Sequence, residues 1–430
     1  MFDRIFDREL SAGASYEMLE HLSTKIGARL SGSPAAAAAV EFTRQRMMNF
    51  SDTVWLQPVM VPHWVRGRKE SGKIHSKKKG TLDVNVCALG GSVGTGLAGI
   101  SAEVVEIRNW EELRALGAKV IEGKIVFFNR PMDPTLINTF AAYSGAVDQR
   151  ANGASEAAKF GAIGVVVRSM GSNLEDYPHT GGMRYAPDVK QIPSVAISTM
   201  HAELLSTLLK DEKDLRFFFE THCETLPDAP SYNVIGELRG SEFPNEVIVV
   251  SGHLDSWDVG QGAHDDGAGC VQAMEVLRLF KLLDYKPKRT IRAVMYMNEE
   301  NGLRGGLEYA KQAEAKKEKH TAAIESDRGG FSPRGFSMTT TKPVSEKIKS
   351  WKPLFEPYGL TDFDQPGGGA DIGPLGAQGV PLIGFLPDSQ RYFRYHHTDQ
   401  DTFDKVDKRE LELGAAAMAA LVYMIDKYGL

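Results

Sequence analysis

The sequence has little cysteine, no long apolar run and no excess of positive charge, and each shortage excludes something. Only three cysteines, Cys87, Cys223 and Cys270, occur in 430 residues. The odd number and the spacing match neither a disulfide framework nor a cysteine-based zinc motif. Cys270 falls in an apolar stretch and reads as a small core residue. Cys87 and Cys223 are a pair that an oxidising compartment could join. No apolar segment approaches the roughly 20 residues a helix needs to span a bilayer. A formal charge of −6 lacks the basic footprint of a nucleic-acid-binding protein. The opening residues, MFDRIFDREL, carry charge throughout and no apolar h-region, so they do not read as a signal peptide. Two settings stay open: the cytoplasm, or a secreted or periplasmic location reached after removal of a signal.

The hydrophobic and charged fractions, 42% and 25%, are those of a globular chain. The length exceeds what one ordinary core supports, so more than one domain is expected. Residues 16–26 read as a helix, as do 35–48 after the turn at Gly32, Ser33 and Pro34. The basic stretch 66–79, with Lys77, Lys78 and Lys79, reads as a solvated hairpin tip. Residues 94–226 form a separate α/β block, with strands at 124–128, 161–167 and 192–197 and a helix at 154–160. Beyond Pro230 strands and helices alternate. Strands are expected at 247–250, 291–297, 322–326 and 382–386, and helices at 269–283, 306–319 and 408–428. The short run Val247 to Val250 is apolar at every position, as in a strand covered on both faces. The chain is therefore expected to be α/β, with a mostly parallel sheet flanked by helices. The boundaries fall at 1–93 for the N-terminal part of the main domain, 94–226 for an insertion and 227–430 for the rest.

The ionisable residues sit just after the predicted strands, where sites form in open α/β sheets. The first strand ends in His253 and Asp255, a candidate metal ligand and a carboxylate able to accept from the other imidazole N–H. The loop GAHDDGAG follows with Asp265 and Asp266. One aspartate suffices to cap the next helix, and here there are two. The next strand ends in Glu299 and Glu300, adjacent carboxylates that repel unless a cation lies beside them. Glu325 and Asp327 follow the next, and Tyr395, His396, His397, Thr398 and Asp401 follow the last. Five strand ends carrying imidazole or carboxylate make a nitrogen and oxygen set suited to zinc or a similar ion. Asp371, in a glycine-rich loop, reads equally as a pocket or a turn carboxylate.

The ordered set HxD, GAHDDGAG, NEE, ESD and YHHTxxDT resembles that of the co-catalytic two-zinc exopeptidases of leucyl aminopeptidase and glutamate carboxypeptidase type, and within them the carboxypeptidase Q (plasma glutamate carboxypeptidase) branch. The block 94–226 resembles a protease-associated domain. This resemblance implies two zinc ions per chain, one held by His253 and Asp327, the other by Glu300 and His397, with Asp265 bridging. It makes Glu299 the general base toward a metal-bridging hydroxide and Asp255 the orienter of His253. His396 and Tyr395 share the position of a tyrosine that some relatives use at the oxyanion. The implied substrate is a short unblocked peptide or dipeptide, with the insertion limiting access, and the resemblance admits a homodimer. Two rival readings are a single-zinc enzyme like the glutaminyl cyclases and a receptor-like relative without catalysis.

Overall fold

The computed structural model describes residues 1–430, and these cluster into two units. The first comprises residues 1–62, 228–392 and 400–430; the second comprises 63–227 and 393–399.

The first unit is built on a seven-stranded mixed sheet. Its order is Thr53–Val65, Glu224–Leu238, Arg289–Tyr296, Phe243–His253, Lys319–Glu325, Leu382–Pro387, Pro333–Thr339. The four strands from Arg289–Tyr296 to Leu382–Pro387 run parallel. Glu224–Leu238 and Pro333–Thr339 pair antiparallel at their flanks. The apolar run in Phe243–His253 divides by alternation. Ile248 and Val250 enter one core with the helices Ala268–Leu282 and Lys408–Tyr428. Val247 and Val249 enter another with Tyr309 and Ala310 of the helix Arg304–Lys316. A strand packed on both faces can carry apolar side chains at every position, because successive side chains point opposite ways.

Several sequence expectations differ from the structure at element ends, and the second unit begins at His63 rather than at the expected residue 94. Residues 16–26 are not one regular helix: Ser15–Glu20 is α-helical and His21–Ile26 is π-helical, closed by Gly27 at φ 78°. The helix placed at 306–319 is Arg304–Lys316, and the strand Lys319–Glu325 takes over the last of those residues. Cys270 is fully buried, and its thiol donates to the His253 carbonyl at 3.0 Å. Cys87 and Cys223 are both buried as thiols. No helix is long and apolar enough to cross a membrane.

The second unit holds an eight-stranded sheet. Its order is Gly80–Val84, Ser71–Ser76, Arg216–Glu220, Ile100–Ile107, Ile125–Phe128, Gly164–Arg168, Ser194–Ile197, Val86–Ala88. The basic stretch lies here, and Lys77 to Lys79 turn the exposed hairpin between its first two strands.

The N-terminal helix Phe2–Ala12 packs Ile5 and Phe6 into the first unit and carries one buried acid. Glu9 is fully buried, and Ser15 Oγ donates to its Oε1 at 3.1 Å. Burial first, and then Glu275 beside it, raise the Glu9 carboxyl far above the usual carboxylate range. Arg278 is engaged by Glu275, with Nε 2.8 Å from Oε2. Folded Glu9 therefore keeps a proton that the unfolded chain releases above its ordinary pKa of 4.5. The folded state binds more protons, so stability falls as pH rises from that value. Glu9→Gln mimics the neutral acid without titrating. Its stability gain over the parent is expected to be near zero at about pH 4 and to reach several kcal/mol at about pH 8, since each pH unit above the unfolded pKa is worth about 1.4 kcal/mol. Thermal melts at both pH values measure this, and equal gains at both would remove Glu9 as the source.

Candidate active site

His253 ends the strand Phe243–His253 and is almost fully buried. Its Nδ1 lies 3.0 Å from the Asp255 carbonyl. That contact makes Nδ1 the protonated nitrogen and leaves the Nε2 lone pair as the ligand, the tautomer a metal-binding imidazole needs. Nε2 stands 3.2 Å from Asp265 Oδ1 and 3.3 Å from Asp327 Oδ1. The orienting group is thus the Asp255 backbone, since its carboxylate lies 3.9 Å from Nδ1. That carboxylate instead accepts the backbone N–H groups of Asn298 at 2.7 Å, Glu299 at 3.0 Å and Glu300 at 3.4 Å. Asp255 therefore fixes the loop that carries both glutamates. Asn298, at its start, holds the left-handed conformation with φ 76°.

The two neighbouring aspartates have different tasks. Asp266 Oδ2 accepts from the His253 N–H and Oδ1 from the Gly269 N–H, each at 2.9 Å. It joins the strand end to the first turn of the helix Ala268–Leu282. Residue 269 must be glycine, because a Cβ there would fall 2.5 Å from both Asp266 oxygens. Asp265 is the one that faces His253. The peptide between the two is cis. Asp401 holds this loop from the other side: Oδ1 accepts from His264 N at 2.7 Å and Oδ2 from Asp265 N at 3.1 Å. The YHHTxxDT pattern contained Asp401, but sequence reasoning gave it no role. His264 turns away and stacks on Phe331, with ring centroids 4.1 Å apart.

Ligand-type atoms of His253, Asp265 and Glu300 lie within 4.8 Å of one another, as do those of His253, Asp266 and Asp327. Glu325 is not among them. Its Oε2 accepts from the Ile372 N–H at 2.9 Å and its Oε1 from the Asp371 N–H at 3.4 Å, pinning the glycine-rich loop. Asp371 is no turn carboxylate, for it is buried and neither of its oxygens accepts a hydrogen bond. The arginines flanking the motifs also separate. Arg391 is held by Glu410 at 2.6 Å, and Arg394 is exposed. Arg328 lies against the glycine-rich loop, where a Cβ at Gly367 would be 3.9 Å from Nη2.

Tyr395, His396 and His397 fall in residues 393–399 and cluster with the second unit. There, His397 Nδ1 is 3.3 Å from the Thr180 carbonyl and 3.4 Å from Arg150 Nη1. His397 holds the left-handed conformation with φ 63°, sparsely populated and typical of functional sites. The His396 ring stacks on His397 at 3.5 Å, and its carbonyl accepts from His179 Nδ1 at 2.9 Å. Tyr395 is half-buried, and its carbonyl accepts from Thr398 Oγ1 at 2.7 Å.

The donor set fits a divalent cation. Ligand atoms about 2.0–2.1 Å from a tetrahedral ion lie about 3.3–3.4 Å apart, close to the separations of His253 Nε2 from Asp265 and Asp327. Burial raises Asp266, Glu299 and Glu300 well above the carboxylate range, and Asp265 and Asp327 nearby add to the effect. Burial likewise pushes Glu325 up to about 7, with Asp327 next. So many carboxylates around one imidazole are stable as anions only with added positive charge.

Residues 233–422 match the family described as Peptidase family M28. Carboxypeptidase Q of Bos taurus is 36% identical over 96% of this chain and 85% of its own length. A peptidase M28 precursor of known structure from Shewanella amazonensis SB2B has a TM-score of 0.94 at 34% identity, covering 100% of this chain and 96% of that one. A zinc aminopeptidase from Bacillus subtilis shares the fold, with a TM-score of 0.68 at 20% identity over 96% of this chain and 95% of its own.

Proposed function

This chain belongs to peptidase family M28 and is a metallo-exopeptidase, and we propose that it hydrolyses short unblocked peptides, dipeptides foremost, at a two-zinc centre. The observation that carries the reading is the cup formed by His253 Nε2 with Asp265 and Asp327, 3.2 and 3.3 Å away. His253 and Asp327 would hold one ion and Glu300 and His397 the other, with Asp265 shared between the two. Imidazole nitrogen with carboxylate oxygen suits zinc, the metal in the name of the Bacillus subtilis relative. His397 joins the set on its place in the YHHTxxDT motif. Bound zinc would lower the pKa of a shared water and polarise the scissile carbonyl.

The protein's own residues do the rest. Glu299, on the loop that Asp255 grips, takes the proton from the attacking water and returns it to the leaving amine. Placing base and ligand on adjacent residues keeps the proton acceptor in register with the ion. Asp371, with no hydrogen bond to either oxygen, is the group to meet a substrate α-ammonium. Arg328, beside the same glycine-rich loop, is the group to meet an α-carboxylate, which a guanidinium clasps with two hydrogen bonds. A substrate held at both ends must be short.

The test compares turnover of a free dipeptide, its N-acetylated form and its C-terminal amide by the zinc-loaded protein. The free dipeptide is expected to be cleaved fastest. Equal cleavage of the acetylated form would refute recognition of the amino terminus, and loss on the amide alone would give the main role to the carboxylate.

A further inference from the structure

The segment just before the turn at Gly32, Ser33 and Pro34 lies far in sequence from every candidate ligand, yet it reaches both ends of the loop 254–262, which joins His253 to Asp265, and the loop 297–303, which carries Glu299 and Glu300. Arg29 is fully buried. Its guanidinium donates from Nε to the Leu254 carbonyl at 2.6 Å, from Nη1 to the Gln261 carbonyl at 2.9 Å and from Nη2 to the Gly262 carbonyl at 2.9 Å. Nη1 also reaches the Gly27 carbonyl at 3.4 Å, and the Arg29 N–H donates to Ser256 Oγ at 3.2 Å. Two residues on, buried Ser31 donates to Asn301 Oδ1 and accepts from Asn298 Nδ2, each at 2.9 Å. The points so joined follow His253, precede Asp265 and flank Glu299 and Glu300.

An ordinary structural arginine pairs with a carboxylate. This one spends its fork on backbone carbonyls, although burying a guanidinium is expensive without close partners. The carbonyls belong to the two ends of the loop 254–262, whose separation sets the distance from His253 Nε2 to Asp265. A glycine at 262 confirms how tight the fit is: φ is 58°, and a Cβ there would lie 2.8 Å from Arg29 Nη1 and 2.4 Å from Ser256 Cβ. Lysine could not replace this fork, since one ammonium cannot meet carbonyls at both ends of that loop in a single plane.

We infer that Arg29 and Ser31 form a tie that sets the course of the two metal-site loops, 254–262 and 297–303, so that Arg29 is a positioning residue for the metal centre. The inference rests on the two-zinc reading above for its consequence and on the hydrogen bonds alone for its geometry. It acts on the loops before any ion is bound, presenting ligands already near the separation the ion requires.

Arg29→Lys and Ser31→Ala test it in the full-length protein. Three measurements are needed: zinc affinity of metal-depleted protein by competition with a chromogenic chelator, backbone amide exchange of the same metal-free protein, and kcat and KM after reloading. Arg29→Lys is expected to bind zinc about 10–100-fold more weakly, the usual effect of losing a group that supports ligands. Its amides should exchange faster across 254–267, and kcat should fall with KM nearly unchanged. Ser31→Ala should speed exchange at 298–301. Folded Arg29→Lys with parental zinc affinity and parental loop exchange would overturn the tie. If Arg29→Lys does not fold, Ser31→Ala decides, and unchanged exchange at 298–301 overturns it. Should the parent bind no zinc, the two-zinc reading fails, while metal-free exchange still judges the tie.

Discussion

Glu299→Gln is expected to keep its zinc and to lose turnover by about 10²–10⁴-fold, the usual worth of a positioned general base. The amide has the shape of the acid but cannot take a proton from water. Glu299 stands outside both groups of ligand atoms that gather on His253, so metal content should not follow activity down. Its N–H donates to Asp255 Oδ1 at 3.0 Å through the backbone, which the substitution leaves in place, so the loop should hold its course. Elemental analysis and steady-state kinetics on one preparation separate the outcomes. A variant with near-parental kcat would move the base elsewhere. A variant that loses metal along with activity would make Glu299 a ligand.

Metal removal should have the largest effect of all. Chelation is expected to bring activity to background, and added zinc to restore it, with up to two ions per chain at saturation. His253→Ala should weaken one site and His397→Ala the other, each with a loss of about 10³-fold or more, because the ion supplies several kcal/mol of transition-state stabilisation. His253→Ala also removes the one imidazole common to both ligand groups in the first unit, leaving buried carboxylates that repel one another with less positive charge beside them. A single tight ion at saturation in the parent would favour the cyclase-like reading.

How much of this was legible in sequence varied with the distance over which the cause acts. The helix Lys408–Tyr428 appears at the predicted ends because its signals are local. Asp407 caps it by accepting from the Glu410 N–H at 2.9 Å, and Gly429 ends it at φ 69°. The site loops were legible because each follows a strand recognisable by its apolar run. The missed helix Phe2–Ala12 lies in a stretch rich in charge, and its burial of Ile5 and Phe6 depends on the layer it meets.

The α/β class, the family resemblance and the ordered set of imidazoles and carboxylates could all be read without coordinates, because alternation, capping and short motifs are written in neighbouring residues. Three-dimensional packing added the roles within the pair: Asp265, already the bridge by resemblance, faces His253, while Asp266 braces the backbone. It alone decided that Asp255 orients the imidazole through its carbonyl and the glutamate loop through its carboxylate. Both choices turn on which way a side chain points within one loop, and spacing does not encode that. Arg29 is the extreme case. Its bond to the Leu254 carbonyl spans 225 residues, and no local pattern marks an arginine whose partners are carbonyls brought to it by packing.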